Sequence, residues 1–398
     1  MSARNILFVE AGGNVLQGLM RTLSGFSDDW NIVLSTDANA ALEMLTQRRF
    51  SIVVAGFGDN TKECERFLAE VQRHAPVAIR FALLSKSHSK CLTASLQYAY
   101  QCFSDECPAE EIAAAIQRGL SVWDRCQEKP ALNGLLAQIH NIPTPPTLYF
   151  EVREEMNSAN CNARGIAGVL SRDPALCAKL LKIANSGFYA MPRTVSDVYE
   201  AVTFLGTETI SSLVLATHVF NSMPIPGINL DALWKHSLAA SAMAREIVVQ
   251  QGGNRLTTNT AGVAGLLHDI GQLIFLSNMP ERYQPMLCSS GGNEEKLLQM
   301  EQEAFGVGHP ELSSYLLGLW SLPEAVVRAV GSHHNPSDCA RKPLCVIRSS
   351  VFMAEWFLQQ FSVQEELGQE DQQYPADCLP GQIENWRETC AQLMAKSI

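Results

Sequence analysis

Apolar residues follow two different rhythms along this chain. Over residues 1–122, short apolar runs alternate with stretches in which apolar positions recur every three or four residues. Asn5–Val9, Ile32–Ser35, Ser51–Ala55, Ile79–Leu84 and Gln101–Phe103 are short and apolar, the pattern of strands. Asn14–Leu23, Ala38–Gln47, Lys62–Arg73, His88–Tyr98 and Pro108–Val122 predict helices between and after them. Strands alternating with helices of this length imply a parallel sheet covered on both faces.

Five such units make a doubly wound, flavodoxin-like α/β domain, whose functional edge lies at the carboxyl ends of the first and third strands. Residues 123–141 read as a linker helix broken by Pro130, and Ile142-Pro143-Thr144-Pro145-Pro146 then marks a boundary. Three prolines there remove backbone donors and disfavour helix on their N-terminal side. From residue 142 to 361 the rhythm is helical almost throughout, predicting an all-α domain: Ile166–Leu170, Leu176–Ile183, Val198–Leu205, Ile210–Phe220, Leu233–Val249 and Val263–Leu276. Residues 362–398 hold a polar, acidic linker and a closing amphipathic helix with Ile383, Trp386, Cys390 and Leu393 at helical spacing.

Composition narrows the function. A length of 398 residues with 46% hydrophobic and 18% charged residues suits a multi-domain soluble protein. A net charge of −11 argues against direct binding to duplex DNA. No segment offers the roughly 20 uninterrupted apolar residues of a membrane span, and no secretory signal opens the chain. Twelve cysteines are scattered without metal or disulfide spacing, which points to reduced thiols in a cytoplasm.

The candidate chemistry centres on Leu266-Leu267-His268-Asp269-Ile270-Gly271, an imidazole and a carboxylate in an apolar helical run from Ala261 to Leu276. Burying both is costly unless a hydrogen-bonding partner or a metal ion satisfies them. His236, His309 and the pair His333-His334 lie in similar helical settings, so five of the nine histidines fall within 99 residues of one another. Asn185, Ser186, Phe188 and Tyr189 read as a turn between helices, and Trp234 and Trp320 as core.

Two resemblances follow from these residues. Asn5–Glu10 and Ser51–Gly56 resemble the first and third strands of response-regulator receiver domains. Glu10 stands at the first acidic position, Ala11 at the second, Gly56 at the phospho-acceptor, Ser85 at the switch hydroxyl, and Asp105 about where a lysine is found. Glycine cannot accept a phosphoryl group and one carboxylate is a poor Mg²⁺ site, so the resemblance implies a degenerate receiver. Asp59 lies beyond the strand end and is displaced for a nucleophile.

Ser171-Arg172-Asp173-Pro174-Ala175-Leu176, the run Leu180–Tyr189, Ala201–Gly206, Trp234–Ser237, Leu266–Gly271 and Ser332–Pro336 together resemble the HDOD domain, an all-α relative of the HD-superfamily phosphohydrolases. That resemblance implies a metal set of His236, His268, Asp269, His309, His333 and His334 for iron, zinc or manganese; the alternative is a hydrogen-bonded core network inherited from an enzyme ancestor, without a metal. Two departures point away from turnover: the best register places Val351 where a closing aspartate belongs, with Glu355 one turn on, and Gln272 follows His268–Gly271 where the cyclic-di-GMP phosphodiesterase branch has lysine. The Gly-Tyr-Pro loop of that branch is also missing after His334.

The resulting expectation is a cytoplasmic bacterial signalling protein that works by protein–protein contact through a non-phosphorylatable pseudo-receiver and a non-catalytic HDOD domain. Histidine kinases, diguanylate cyclases and phosphodiesterases are the partner classes in view, with a homodimer left open. The competing readings are a metal-dependent nucleotide or cyclic-dinucleotide phosphodiesterase and a nucleotide sensor without turnover.

Overall fold

The computed structural model describes residues 4–10, 19, 22–23, 25–26, 29–58, 60–84, 98–105, 107–139, 141–143, 145–158, 160–189, 193–222, 225, 230–334, 343–363 and 380–395. The chain divides into two compact units, one of residues 1–147 with 315–322 and one of residues 148–314 with 323–398.

In the first unit, β1 (Arg4–Glu10), β2 (Trp30–Ser35), β3 (Ile52–Gly56), β4 (Ile79–Leu84) and β5 (Gln101–Ser104) form a five-stranded sheet in the order β2-β1-β3-β4-β5. Every pairing is parallel. Strands β3 and β4 are buried at every residue, as a sheet with helices on both faces demands. The expected α/β class holds. Helices α1 (Ala38–Gln47), α2 (Thr61–His74), α3 (Ala109–Glu128) and α4 (Pro130–Leu136) follow. Asp37 and Asn60 cap the first two by accepting from Asn39 and Glu63 backbone amides. Helix α3 runs on past the expected end at Val122 to Glu128, because Ile112, Ile116, Leu120 and Cys126 continue its buried stripe. The helices expected at Asn14–Leu23 and His88–Tyr98 fall largely outside the described residues.

From Thr147 onward the described elements are all helices: α5 (Thr147–Asn157), α6 (Ala163–Leu170), α7 (Pro174–Ala184), α8 (Val198–Leu205), α9 (Thr207–Ser222), α10 (Asp231–Gln250), α11 (Arg255–Leu267), α12 (Ile270–Asn278), α13 (Pro280–Ser290), α14 (Glu294–Phe305), α15 (His309–Leu319), whose last residues count with the first unit, α16 (Glu324–Val330), α17 (Pro343–Val363) and α18 (Pro380–Ala395). The closing helix packs within the second unit. Trp386 and Cys390 are buried, the Trp386 ring meets Phe357 of α17 edge-on, and Gln250 of α10 donates to Thr389.

Two corrections concern this unit. The expected continuous helical run Ala261–Leu276 is broken at His268-Asp269, where Asp269 adopts φ −97°, ψ 11° between α11 and α12. That backbone region is sparsely populated and recurs at functional residues. The stretch Arg255–Asn278 is long and apolar enough to cross a membrane by composition, and 89% of its apolar window is buried inside the unit. Among the described residues all cysteines are free thiols.

Candidate metal centre

Small residues decide which side chains meet. A Cβ on Gly265 of α11 would lie 2.7 Å from the Ala240 carbonyl of α10, so the absence of a side chain lets these two helices touch backbone to backbone. A Cβ on Gly271 would lie 2.3 Å from the His309 carbonyl, and the Gly271 amide donates to the Ser313 hydroxyl at 2.8 Å. The start of α15 is thereby drawn against the start of α12. His236 from α10, the His268-Asp269 break, His309 at the head of α15, the His333-His334 turn after α16 and Glu355 from α17 converge as a result.

The converging atoms form two groups that share one carboxylate. In the first, His236 Nε2 lies 3.2 Å from His268 Nε2 and 2.9 Å from Glu355 Oε2. His268 Nε2 lies 3.2 Å from both Glu355 Oε2 and Asp269 Oδ2, and His236 Nε2 is 3.5 Å from that same Asp269 oxygen. In the second, His309 Nε2 is 3.3 Å from His333 Nε2, 3.1 Å from His334 Nε2 and 3.3 Å from Asp269 Oδ1. His333 Nε2 is 3.6 Å from Asp269 Oδ1. Each Asp269 oxygen thus serves one group.

The opposite ring nitrogens settle what these contacts are. His268 Nδ1 donates to the Gly265 carbonyl at 2.7 Å, His333 Nδ1 to the Val330 carbonyl at 2.6 Å, and His309 Nδ1 to Glu301 at 2.8 Å. In the neutral rings the proton therefore sits on Nδ1 and the Nε2 lone pair points inward. Lone pairs that meet at 3.1–3.3 Å cannot hydrogen-bond one another and need a cation or shared protons between them. Metal–nitrogen bonds of about 2.0–2.1 Å place neighbouring ligand atoms about 3.0–3.4 Å apart, the spacing found here. Asp269 Oδ1 and Glu355 Oε2, both buried, receive no hydrogen bond in acceptable geometry. Orphaned carboxylate oxygens facing convergent imidazoles are what a divalent metal satisfies, so the donor set fits the ion that the HDOD resemblance implies.

Without metal, protons must serve instead. Burial pushes His268 down, but Asp269 and Glu355 outweigh it and hold the ring well above the ordinary range. Burial pushes His309 down, yet Glu301 and Asp269 bring it up to about 9. Burial pushes Asp269 up, against which His268 and His309 hold it well below the usual carboxylate range. Glu355 is likewise held low against burial by His236 and His268. His334 is driven down to about 2 by burial and by its neighbours His333 and His309.

All six residues expected at the site are brought together. Val351, the expected place of the closing carboxylate, is instead buried core, and Glu355 one turn further along α17 supplies the group. Glu301 was missed by sequence reasoning. Fully buried on α14, it takes the His309 amide at 2.7 Å, the His309 ring and the Tyr283 hydroxyl at 2.5 Å. Its only sequence signal is a charge four residues after buried Leu297, on the apolar side of an otherwise polar helix.

In the first unit, Glu10 and Gly56 pair at the ends of β1 and β3, and Asp105 follows β5. Ala11, Ser85 and Asp59 lie outside the described residues. Asn185 acts as the expected turn residue, accepting from the Val195 amide and donating to the Leu181 and Val195 carbonyls.

Comparison with known proteins gives this geometry a setting. The chain is 25% identical over 198 residues to an uncharacterized protein of Treponema pallidum, a match covering 50% of this chain and only 38% of that relative's length. A crystal structure of an HDOD domain protein of unknown function from Geobacter sulfurreducens is 24% identical, covering 68% of this chain and 88% of that one at a TM-score of 0.49. A Marinobacter aquaeolei protein whose name ascribes it to signal transduction is 20% identical over 64% of this chain and 59% of its own, with a TM-score of 0.50, a likeness of fold. Residues 142–336 match the HDOD domain family, and this part of the chain is an HDOD domain.

Proposed function

We propose that this chain is a signalling protein whose HDOD domain holds two divalent cations and through them binds a phosphate ester. One observation carries the reading: the two oxygens of Asp269 face separate clusters of inward-pointing imidazole nitrogens. His236, His268 and Glu355 would hold one ion, and His309, His333 and His334 the other, with Asp269 common to both. A bound pair of this kind neutralises phosphoryl oxygens and lowers the pKa of a coordinated water.

The protein's own groups hold the ligands in place. Carbonyls of Gly265 and Val330 fix the His268 and His333 rings, and Glu301 fixes His309 while Tyr283 steadies Glu301. Such outer partners set ring orientation and ligand basicity. His236, with 26% of its side chain exposed, and the partly buried His334 form the side of the site nearest solvent. Gly56 leaves the α/β unit without an acceptor carboxylate, which supports a role in docking another signalling protein, a kinase, cyclase or phosphodiesterase, rather than in phosphoryl transfer.

A second reading, hydrolysis of the bound ester, is favoured by Glu355, which restores the second carboxylate that the sequence register left out. Metal analysis of protein purified without chelator, beside a His268→Ala, Asp269→Ala double variant, tests both. Iron, zinc or manganese present in the parent and lost from the variant is the expected result. Failure to retain any of these ions after reconstitution would overturn the proposal. Release of product from a phosphodiester by the loaded parent alone would select hydrolysis over binding.

A further inference from the structure

Arg245 sits on α10, with its stem laid across α11 at Gly262, where a Cβ would come within 2.6 Å of Arg245 Cγ. Its Nη1 donates to the hydroxyl of buried Thr209 and to Asn259 Oδ1, both at 3.1 Å. Both acceptors are neutral. Among the described residues no carboxylate pairs with this guanidinium, and its Nε and Nη2 are open to solvent. A part-buried cation without a counter-charge, its fork open on one side, is a place where an anion can bind.

A second cation lies beside it. Arg255 also lacks a carboxylate partner among the described residues, and the two arginines lie close enough to repel. Arg255 Nη2 and Asn259 Nδ2 would stand 3.3 and 3.4 Å from a Cβ at Gly206, a residue held at φ 84°. Gly206 ends α8 and begins the 16-residue α9, whose first-turn amides have no acceptor within the helix. The buried Tyr189 hydroxyl, which lies beside Ser241, completes the surroundings of Arg245. Two guanidiniums, a side-chain amide and the start of a helix thus gather, and the one acid of that first turn, Glu208, is paired with Arg153.

We infer that Arg245, Arg255, Asn259 and the start of α9 form an anion site for a phosphoryl group, that of a small phosphate monoester or of inorganic phosphate. The surplus of N–H donors exceeds what the two oxygens of a carboxylate take up, and the guanidinium fork matches a phosphate. The site is separate from the metal centre. Asn259 and His268 are nine residues apart along α11, about 14 Å at the helical rise.

Calorimetric titration of the full chain in chelator, with inorganic phosphate and with glycerol 3-phosphate in separate runs, tests the inference. Saturable one-to-one binding is expected in the parent, where the chelator removes any cation-mediated contribution from the metal centre. The tighter of the two ligands identifies the source of the phosphoryl group. Arg255→Gln, a change at an exposed side chain, should weaken binding at least tenfold. Arg245→Gln should abolish binding while leaving the phosphate-free thermal midpoint no lower than the parent's, since it removes a cation without a counter-charge. Absence of saturable binding in the parent, or unchanged affinity in both arginine variants, would overturn the site.

Discussion

His309 shows how single side chains at this centre couple ionisation to stability. In protein stripped of metal, burial opposes its charge but Glu301 and Asp269 prevail, raising it to about 9 from an ordinary value near 6.5. A raised folded-state value means that stabilisation is complete below about pH 6.5 and is lost as pH climbs through about 9. Urea unfolding of the chelated protein at those two pH values should show a decline that shrinks in His309→Gln, by up to about 3 kcal/mol. An identical decline in the variant would remove His309 as its source. This residue was legible in the sequence because histidine is scarce and the motif spacing isolates it. Its partner Glu301 was not, since a glutamate among polar neighbours looks solvated, and only the packing of α14 reveals that it is buried.

At the scale of elements, the centre depends on two glycines that let helices approach. Gly271→Ala places a methyl against the His309 carbonyl and the Ser313 hydroxyl. Backbone cannot yield as a flexible side-chain tip does, so a loss of about 1–3 kcal/mol is expected. Thermal unfolding together with metal content checks this; an unchanged midpoint and full metal content would show that α12 and α15 can separate without harm. The break at His268-Asp269 was hidden from periodicity because apolar positions continue on both sides of it, and a turn of one residue leaves no trace in the spacing. Glu355 was hidden differently. α17 mixes polar and apolar residues without a clear stripe, Arg348, Ser349, Ser350 and Gln359 among them, so spacing alone did not say which turn faces the site. The parallel sheet was legible because continuous apolar strands are the direct cost of covering both faces.

At the scale of the whole molecule, one unit is built on a parallel sheet and the HDOD domain on helices. The strand order β2-β1-β3-β4-β5 is that of flavodoxin-like folds, whose ligands sit at the ends of β1 and β3. Glu10 and Gly56 pair there. Treatment with acetyl phosphate should leave no hydroxylamine-sensitive phosphate on the chain by intact mass, because glycine has no carboxylate to take the phosphoryl group as acetate leaves; a single labile adduct mapping to this edge would refute that.

In the signalling role proposed above, a glycine at this position would also set how long a signal can last. An aspartyl phosphate outlives the enzyme that made it and decays at its own hydrolysis rate, so a marked protein remembers an encounter. A surface that is only occupied or vacant forgets as soon as its partner dissociates. If the α/β unit transmits by docking, its output follows the partner's concentration at each moment, with the dissociation rate of the complex as its only clock.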